Sequence, residues 1–309
     1  MLDSFFKTNL KIDNAKLMKL ATNFAVYLSL FLVMIKIIAY ILTNSLAILS
    51  SFLDSSADLF SSVISFLAVK YALTPADHEH SFGHGKAESL AGLVQSFVII
   101  LIAIFLALSS FKRLGQPVDV VNSLEGIIIM SISLISTSFL VFFQHYVIKK
   151  TNSIVIKADS LHYKGDILIN LSIIITLLSM ELYTIPWLDS VLAIIIAVYL
   201  IFNSGLIIFQ SLTDLMDTEL SDNQRDKIKK LVNMHPQVLG IHDLRTRSSG
   251  VQYFIQMHIV LDADMSLLDA HTVSDEVESR LLKNFPNADI IIHQDPSGLI
   301  ENHRPVGQN

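Results

Sequence analysis

Residues 159–166 read DSLHYKGD, set between TNSIVIKA (151–158) and ILINLSIIITLLSM (167–180). A bilayer crossing takes about 20 mostly apolar residues, and the stretch is long enough. Yet it carries Asp159, His162, Lys164 and Asp166. SSFLDSSADLF, residues 50–60, repeats the pattern with Asp54 and Asp58. An ionisable group at the bilayer centre costs about 2.5–3.5 kcal/mol on insertion scales, so such residues mark a functional path.

Working outward, the chain offers six candidate spans, at approximately 17–42, 46–72, 88–111, 121–147, 153–180 and 187–211. The second and fifth are the least apolar, and they hold the carboxylates. The 309 residues are 52% hydrophobic and only 16% charged, with mean hydropathy +0.54. A soluble chain usually carries about 25% charge. The deficit is concentrated in the first two-thirds, which divides the chain into a membrane domain over 1–212, a soluble domain over 213–298 and a loose tail over 299–309.

Short-loop Lys and Arg set the orientation. Lys7, Lys11, Lys16 and Lys19 precede the first span, Lys70 and Lys86 flank the second connection, and Lys149, Lys150 and Lys157 lie around the fourth. TNS (43–45) and ELYTIP (181–186) have none; Lys112 and Arg113 run against the trend. Both termini are therefore expected in the cytoplasm. Lys36, near the outer end of the first span, reads as a side chain that snorkels to the interface. The net charge of −6 argues against a nucleic-acid partner. With no cysteine, any metal must be held by His, Asp, Glu or backbone oxygens. No cleavable leader is legible, because MLDSFFKTNLKIDNAKLMK is polar and basic.

Beyond Thr213 the pattern is that of a soluble domain. SDNQRDKIKKLVNMH reads as an amphipathic helix, IHDLRTRSS and VQYFIQMHIVL as strands around Gly250, SLLDAHTVSDEVESRLLKNF as a second helix and ADIIIHQD as a third strand. This αββαβ order suits helices layered on a small sheet.

Asp54 and Asp58 are spaced i, i+4, as are His162 and Asp166, so each pair shares one helix face. If the second span runs inward and the fifth outward, the two pairs meet near mid-bilayer. Three carboxylates and one imidazole suit a tetrahedral site for a borderline divalent ion. Neighbouring serines could satisfy one such residue, hardly four. A proton relay without metal also fits His beside Asp. Lys164 lies two residues from both His162 and Asp166 and points elsewhere.

The connection PADHEHSFGHGKAESL (75–90) crowds Asp77, His78, Glu79, His80 and His84 beside Gly83 and Gly85. It reads equally as a metal loop or as a solvated polar turn. In the soluble domain, histidines recur at 235, 242, 258, 271 and 293, with Asp295 after IIHQ. Their number favours a metal site, although the ligands would come from different elements. A membrane metalloenzyme lacks support, since no HExxH and no nucleophile set is present. A membrane-anchored metal sensor and a passive metal channel remain as alternatives to a transporter.

LDSSADL, PADHEHSFGHGKAE, ADSLHYKGD, HDLRTR and IIIHQDP together resemble the cation diffusion facilitator family, in its bacterial ferrous-iron/zinc efflux branch, over nearly the whole chain. The resemblance implies six transmembrane helices with a C-terminal cytoplasmic α+β domain of metallochaperone type. It implies a homodimer in the bacterial inner membrane that exchanges cytoplasmic metal for protons, a transporter and not an enzyme. By position it assigns a transport site to Asp54, Asp58, His162 and Asp166, and a loop site to Asp77, His80 and His84. It assigns a cytoplasmic dimer-bridging site to His242, His258, His271, His293 and Asp295, with Gln294 beside it. A Lys86–Asp217 ion pair and a hydrophobic gate at Leu161 are also implied. His235 and His303 match no ligand position and read as surface residues. Stricter zinc members carry a second His where this chain has Asp54. The donor set therefore admits Fe²⁺, Cd²⁺ and Mn²⁺ beside Zn²⁺, while His162 argues against a manganese specialist.

Overall fold

The computed structural model describes residues 2–43, 46–113, 124–182 and 187–298. The expected tail over 299–309, including His303, lies outside them, as do most residues of the connections at 43–45 and 181–186. Six long helices come first: α1 (Leu2–Thr43), α2 (Leu46–Ala72), α3 (Lys86–Arg113), α4 (Leu124–Thr151), α5 (Ile154–Leu182) and α6 (Leu188–Leu215). Then follow α7 (Asp222–Asn233), β1 (Gly240–Ser249), β2 (Gln252–Leu261), α8 (Leu267–Asn284) and β3 (Ala288–Pro296), in the order αββαβ. The chain divides into two compact units, one over Asn14–Leu212 and a second that takes in the chain from Thr213.

The helical unit is inverted relative to a soluble protein. Phe105, Phe142, Phe202 and Phe209 are each about two-thirds or more exposed, while Ser62, Ser65, Ser96, Gln144 and Asp159 are buried. Lipid makes this arrangement favourable, because apolar side chains face the tails and polar ones must find partners inside. The packing places α5 against α2, α3 and α4. Gly92 allows α3 to approach α5, since a Cβ there would lie 2.6 Å from Ile154 Cγ2.

The expectation of six spans is met in part. Among the described residues, four helices carry a stretch long and apolar enough to cross a membrane: Asn14–Ile38, Lys86–Lys112, Ser131–Thr151 and Ser190–Leu215. These lie in α1, α3, α4 and α6. The described parts of α2 and α5 hold no such stretch. Asp54, Asp58 and Lys70 lie on the first helix, and Lys157, Asp159, Lys164 and Asp166 on the second.

The second unit is a three-stranded sheet in the order β1-β2-β3 with helices on one face. β1 and β2 form an antiparallel hairpin that closes between Ser249 and Gln252. Gly250, at φ +59°, supplies the positive φ such a tight turn needs. β3 returns parallel to β2 after α8, as a crossover helix permits. Ile255, Met257 and Ile259 of β2 pack against Ile228 and Val232 of α7 and Val273, Val277 and Leu281 of α8. That face is the core. The alternate residues, His258 and His293 among them, point to the helix-free face. Ser266 caps α8 by accepting from the Asp269 N–H at 3.2 Å. Ser221, at the corresponding place before α7, makes no such capping bond.

Candidate metal centres

In the helical unit, Asp58 of α2 meets His162 and Asp166 of α5. One ligand atom from each lies within 4.8 Å of the other two. His162 Nε2 and Asp58 Oδ1 are 2.9 Å apart. Both side chains are mostly buried, at 15% and 17% exposure. Asp166 Oδ2 is buried without a hydrogen-bond partner, so one oxygen at this point is left for a ligand to satisfy. The i, i+4 spacing on α5 aims His162 and Asp166 at one point. Asp54, one turn from Asp58, stands outside this group and is more exposed. Leu161, directly before His162, is buried and packed with Ile99, Ala103, Ile196 and Leu200 from α3 and α6.

Two further residues belong to this neighbourhood. Lys36 does not snorkel: it is only 7% exposed, and its Nζ donates to Ser55 Oγ of α2 at 2.6 Å. The neighbouring helix supplies a hydroxyl here, directly after Asp54. Asp159, one turn from His162, is 1% exposed. It accepts from Ser65 Oγ at 3.1 Å and from Gln144 Nε2 at 2.7 Å. Gln95 Nε2 donates in turn to Ser65 at 2.7 Å, and Tyr163 and Ser62 share a hydrogen bond of 2.6 Å. This network ties α2, α3, α4 and α5 together. Its signal in the sequence was the lone Asp159 itself; the partners at 65, 95 and 144 follow no spacing rule. Asp159→Ala leaves the buried Gln144 amide without its carboxylate acceptor, while Ser65 keeps the Ser61 carbonyl at 3.2 Å, an expected loss of about 1–3 kcal/mol. A lowered apparent melting temperature of the detergent-solubilised protein would register it, and an unchanged one would show the network to be dispensable.

On the connection between α2 and α3, Asp77, His80 and His84 form a second group of the same dimensions. Asp77 Oδ1 accepts from the backbone N–H of His80 at 2.7 Å and of Glu79 at 3.0 Å. Asp77 Oδ2 lies 3.3 Å from His84 Nε2. These backbone donors, that of His80 foremost, hold the Asp77 carboxyl below its ordinary value of 3.8. It is therefore ionised through the neutral range and ready to accept a cation. His84 is buried against Tyr71, with its Nδ1 unpartnered. Gly83, at φ +78°, makes the bend that turns it inward. His78 and Glu79 are exposed.

The third group lies on the open face of the sheet. Strand register pairs His242 with His258 and His258 with His293, so the three imidazoles form one row across β1, β2 and β3. Ring centroids are 5.0 and 4.5 Å apart along it. Asp295, two residues after His293 and on the same face, is buried beneath them. Its carboxylate lies 2.8 Å from His258 Nδ1, 3.1 Å from His242 Nε2 and 3.3 Å from His293 Nε2. His271 does not join. It stands on α8, two-thirds exposed, 3.6 Å from Asp275. Gln294 faces away and donates to Ser274 Oγ and the Ala270 carbonyl. His235 is not a surface residue: it is 3% exposed and shares a 2.9 Å hydrogen bond with Glu276. It packs α7 to α8. Asp217 pairs with Arg247 at 3.2 Å within the second unit, while Lys86 opens α3 in the first.

With this geometry in place, similarity to known proteins is informative. Residues 23–216 match the cation efflux transmembrane domain, and residues 220–297 match the cytoplasmic domain of cation efflux proteins. The cation-efflux pump FieF of Yersinia enterocolitica is 41% identical over 290 residues, which is 94% of this chain and 96% of that protein. FieF of Yersinia pestis shows the same identity and coverage. Among solved structures, the metal-bound C-terminal domain of the CzcD transporter from Thermotoga maritima is 31% identical. It covers 26% of this chain and all of that one, with a TM-score of 0.25. The cytosolic domain of a cation diffusion facilitator family protein is 32% identical, covering 25% of this chain and 93% of that one, with a TM-score of 0.24. The chain belongs to the cation diffusion facilitator family, as a cation efflux transporter with the family's transmembrane and cytoplasmic domains, and is not an enzyme.

Proposed function

We propose that the protein is a divalent metal/proton antiporter that exports Zn²⁺ from the cytoplasm by alternating access, with Fe²⁺, Cd²⁺ and Mn²⁺ compatible with the same donors. The observation that carries this reading is the convergence of Asp58, His162 and Asp166 from two helices inside the polar interior of a membrane domain. In this reading all six helices span the bacterial inner membrane, with both termini cytoplasmic. The charged faces of α2 and α5 are tolerated because α5 packs inside the bundle. Asp54 completes the site when the helices rock, and Leu161 closes one side of it.

Metal binding needs deprotonated ligands, so it releases protons. The 2.9 Å contact between Asp58 and His162 holds a proton between the atoms that a metal ion would take. Metal and proton thus compete for one place, which is the requirement of an exchanger. The loop group at Asp77, His80 and His84 is a second metal site in this scheme. His242, His258, His293 and Asp295 bind regulatory metal where two copies of the chain meet as a homodimer, with His271 reaching the site only across that interface.

The test is zinc flux into proteoliposomes that enclose a pH dye. Inward zinc should be matched by outward protons, and a proton gradient should accelerate it. Zinc flux without proton movement would make the protein a passive channel. No flux from an inserted, folded protein would leave a membrane-anchored sensor.

A further inference from the structure

Lys36 is an unusual residue to bury. Its ammonium sits in the interior of the helical unit, with its Nζ 2.6 Å from Ser55 Oγ. Ser55 lies on α2 directly after Asp54 and one turn before Asp58. That places the Lys36 ammonium on the stretch of α2 that carries both carboxylates of the pair. A buried lysine held at Ser55, between two carboxylates of the metal site, is a part of that site's charge balance. A hydroxyl alone would not hold an ammonium out of water, because an uncompensated buried charge costs several kcal/mol.

We propose that Lys36 is the resident counter-cation of the transport site, a fixed positive charge that weakens metal binding enough to let the ion leave. The inference rests on the transport reading above and goes beyond it, since Lys36 is no ligand. Three carboxylates and one ammonium leave a balance of −2 with His162 neutral, which a divalent ion cancels. Without Lys36 the balance is −3. The bound ion then experiences a deeper well, and the empty site carries more uncompensated charge when it reorients. The ammonium also disfavours a cation that brings no more than one charge, because it already neutralises one carboxylate.

Lys36→Gln keeps a donor for Ser55 and removes the charge. Zinc uptake into proteoliposomes should then show a KM at least about tenfold lower, since a unit charge within several Å of a divalent ion acts through a low effective dielectric. Its Vmax should fall, because release slows. Lys36→Arg restores the charge and should return KM toward the wild-type value. If Lys36→Gln leaves KM unchanged or raises it at normal membrane levels, Lys36 is a packing residue and the proposal fails. Lys36→Met serves as the same test should the glutamine variant not insert. Absence of zinc flux in the wild type would instead remove the transport reading itself, before any variant is compared.

Discussion

Zinc transport by the Asp58→Ala protein is expected to fall by about 100-fold or more in kcat/KM, with membrane insertion unchanged. Asp58 is the hinge of the membrane centre. It is the α2 residue in contact with His162 and the one that brings the two helices to a common point. Removing one partner from a buried charged pair costs about 3–5 kcal/mol, and each 1.4 kcal/mol is a factor of ten. The truncation leaves His162 and Asp166 without the oxygen that completes their set. His162→Ala and Asp166→Ala should behave alike. Asp54→Ala is the discriminating variant, because Asp54 stands apart from the other three here. Loss as deep as that of Asp58→Ala would mean that four ligands act together in transport. Near-normal flux would mean three ligands and a water. If Asp58→Ala itself carried zinc at the wild-type rate, the membrane centre would not be the transport site.

Asp295→Ala is expected to shift the zinc concentration that activates transport upward by about 100-fold, while flux at saturating zinc persists. Three histidines lean on this one buried carboxylate, at 2.8, 3.1 and 3.3 Å. An oriented carboxylate fixes imidazole tautomers and supplies a negative ligand, so its removal should cost more than the loss of any single histidine. His258→Ala and His293→Ala should each shift activation in the same direction by less. Transport assayed against cytoplasmic-side zinc separates the two effects. Complete loss of flux at every zinc level would show that the sheet cluster is required for transport and does not regulate it. An unshifted activation curve would show that regulatory metal binds elsewhere.

Much of this was legible in the residues. The apolar runs and the charge deficit dictated a membrane domain. The switch to amphipathic periodicity after Thr213 dictated a soluble αββαβ unit, which the structure has in that order. The i, i+4 pairs on α2 and α5 were readable because a helix has one fixed period. Two readings failed for the opposite reason. The sequence reads Lys36 as a snorkelling residue and His235 as a surface one, because sequence position says nothing about what a neighbouring helix offers.

What the sequence determined by itself was therefore local: which segments are helices or strands, which carry charge into an apolar run, and which faces those charges share. What only the tertiary structure decided was the meeting of groups far apart in the chain. Strand register set His242, His258 and His293 in one row over Asp295 and left His271 aside. Helix packing gave Asp159 its donors from Ser65 and Gln144, and gave Lys36 its place at Ser55. Periodicity is a property of the backbone and is written along the chain. Register and helix contact are settled by the packing of whole surfaces, and no local spacing encodes them.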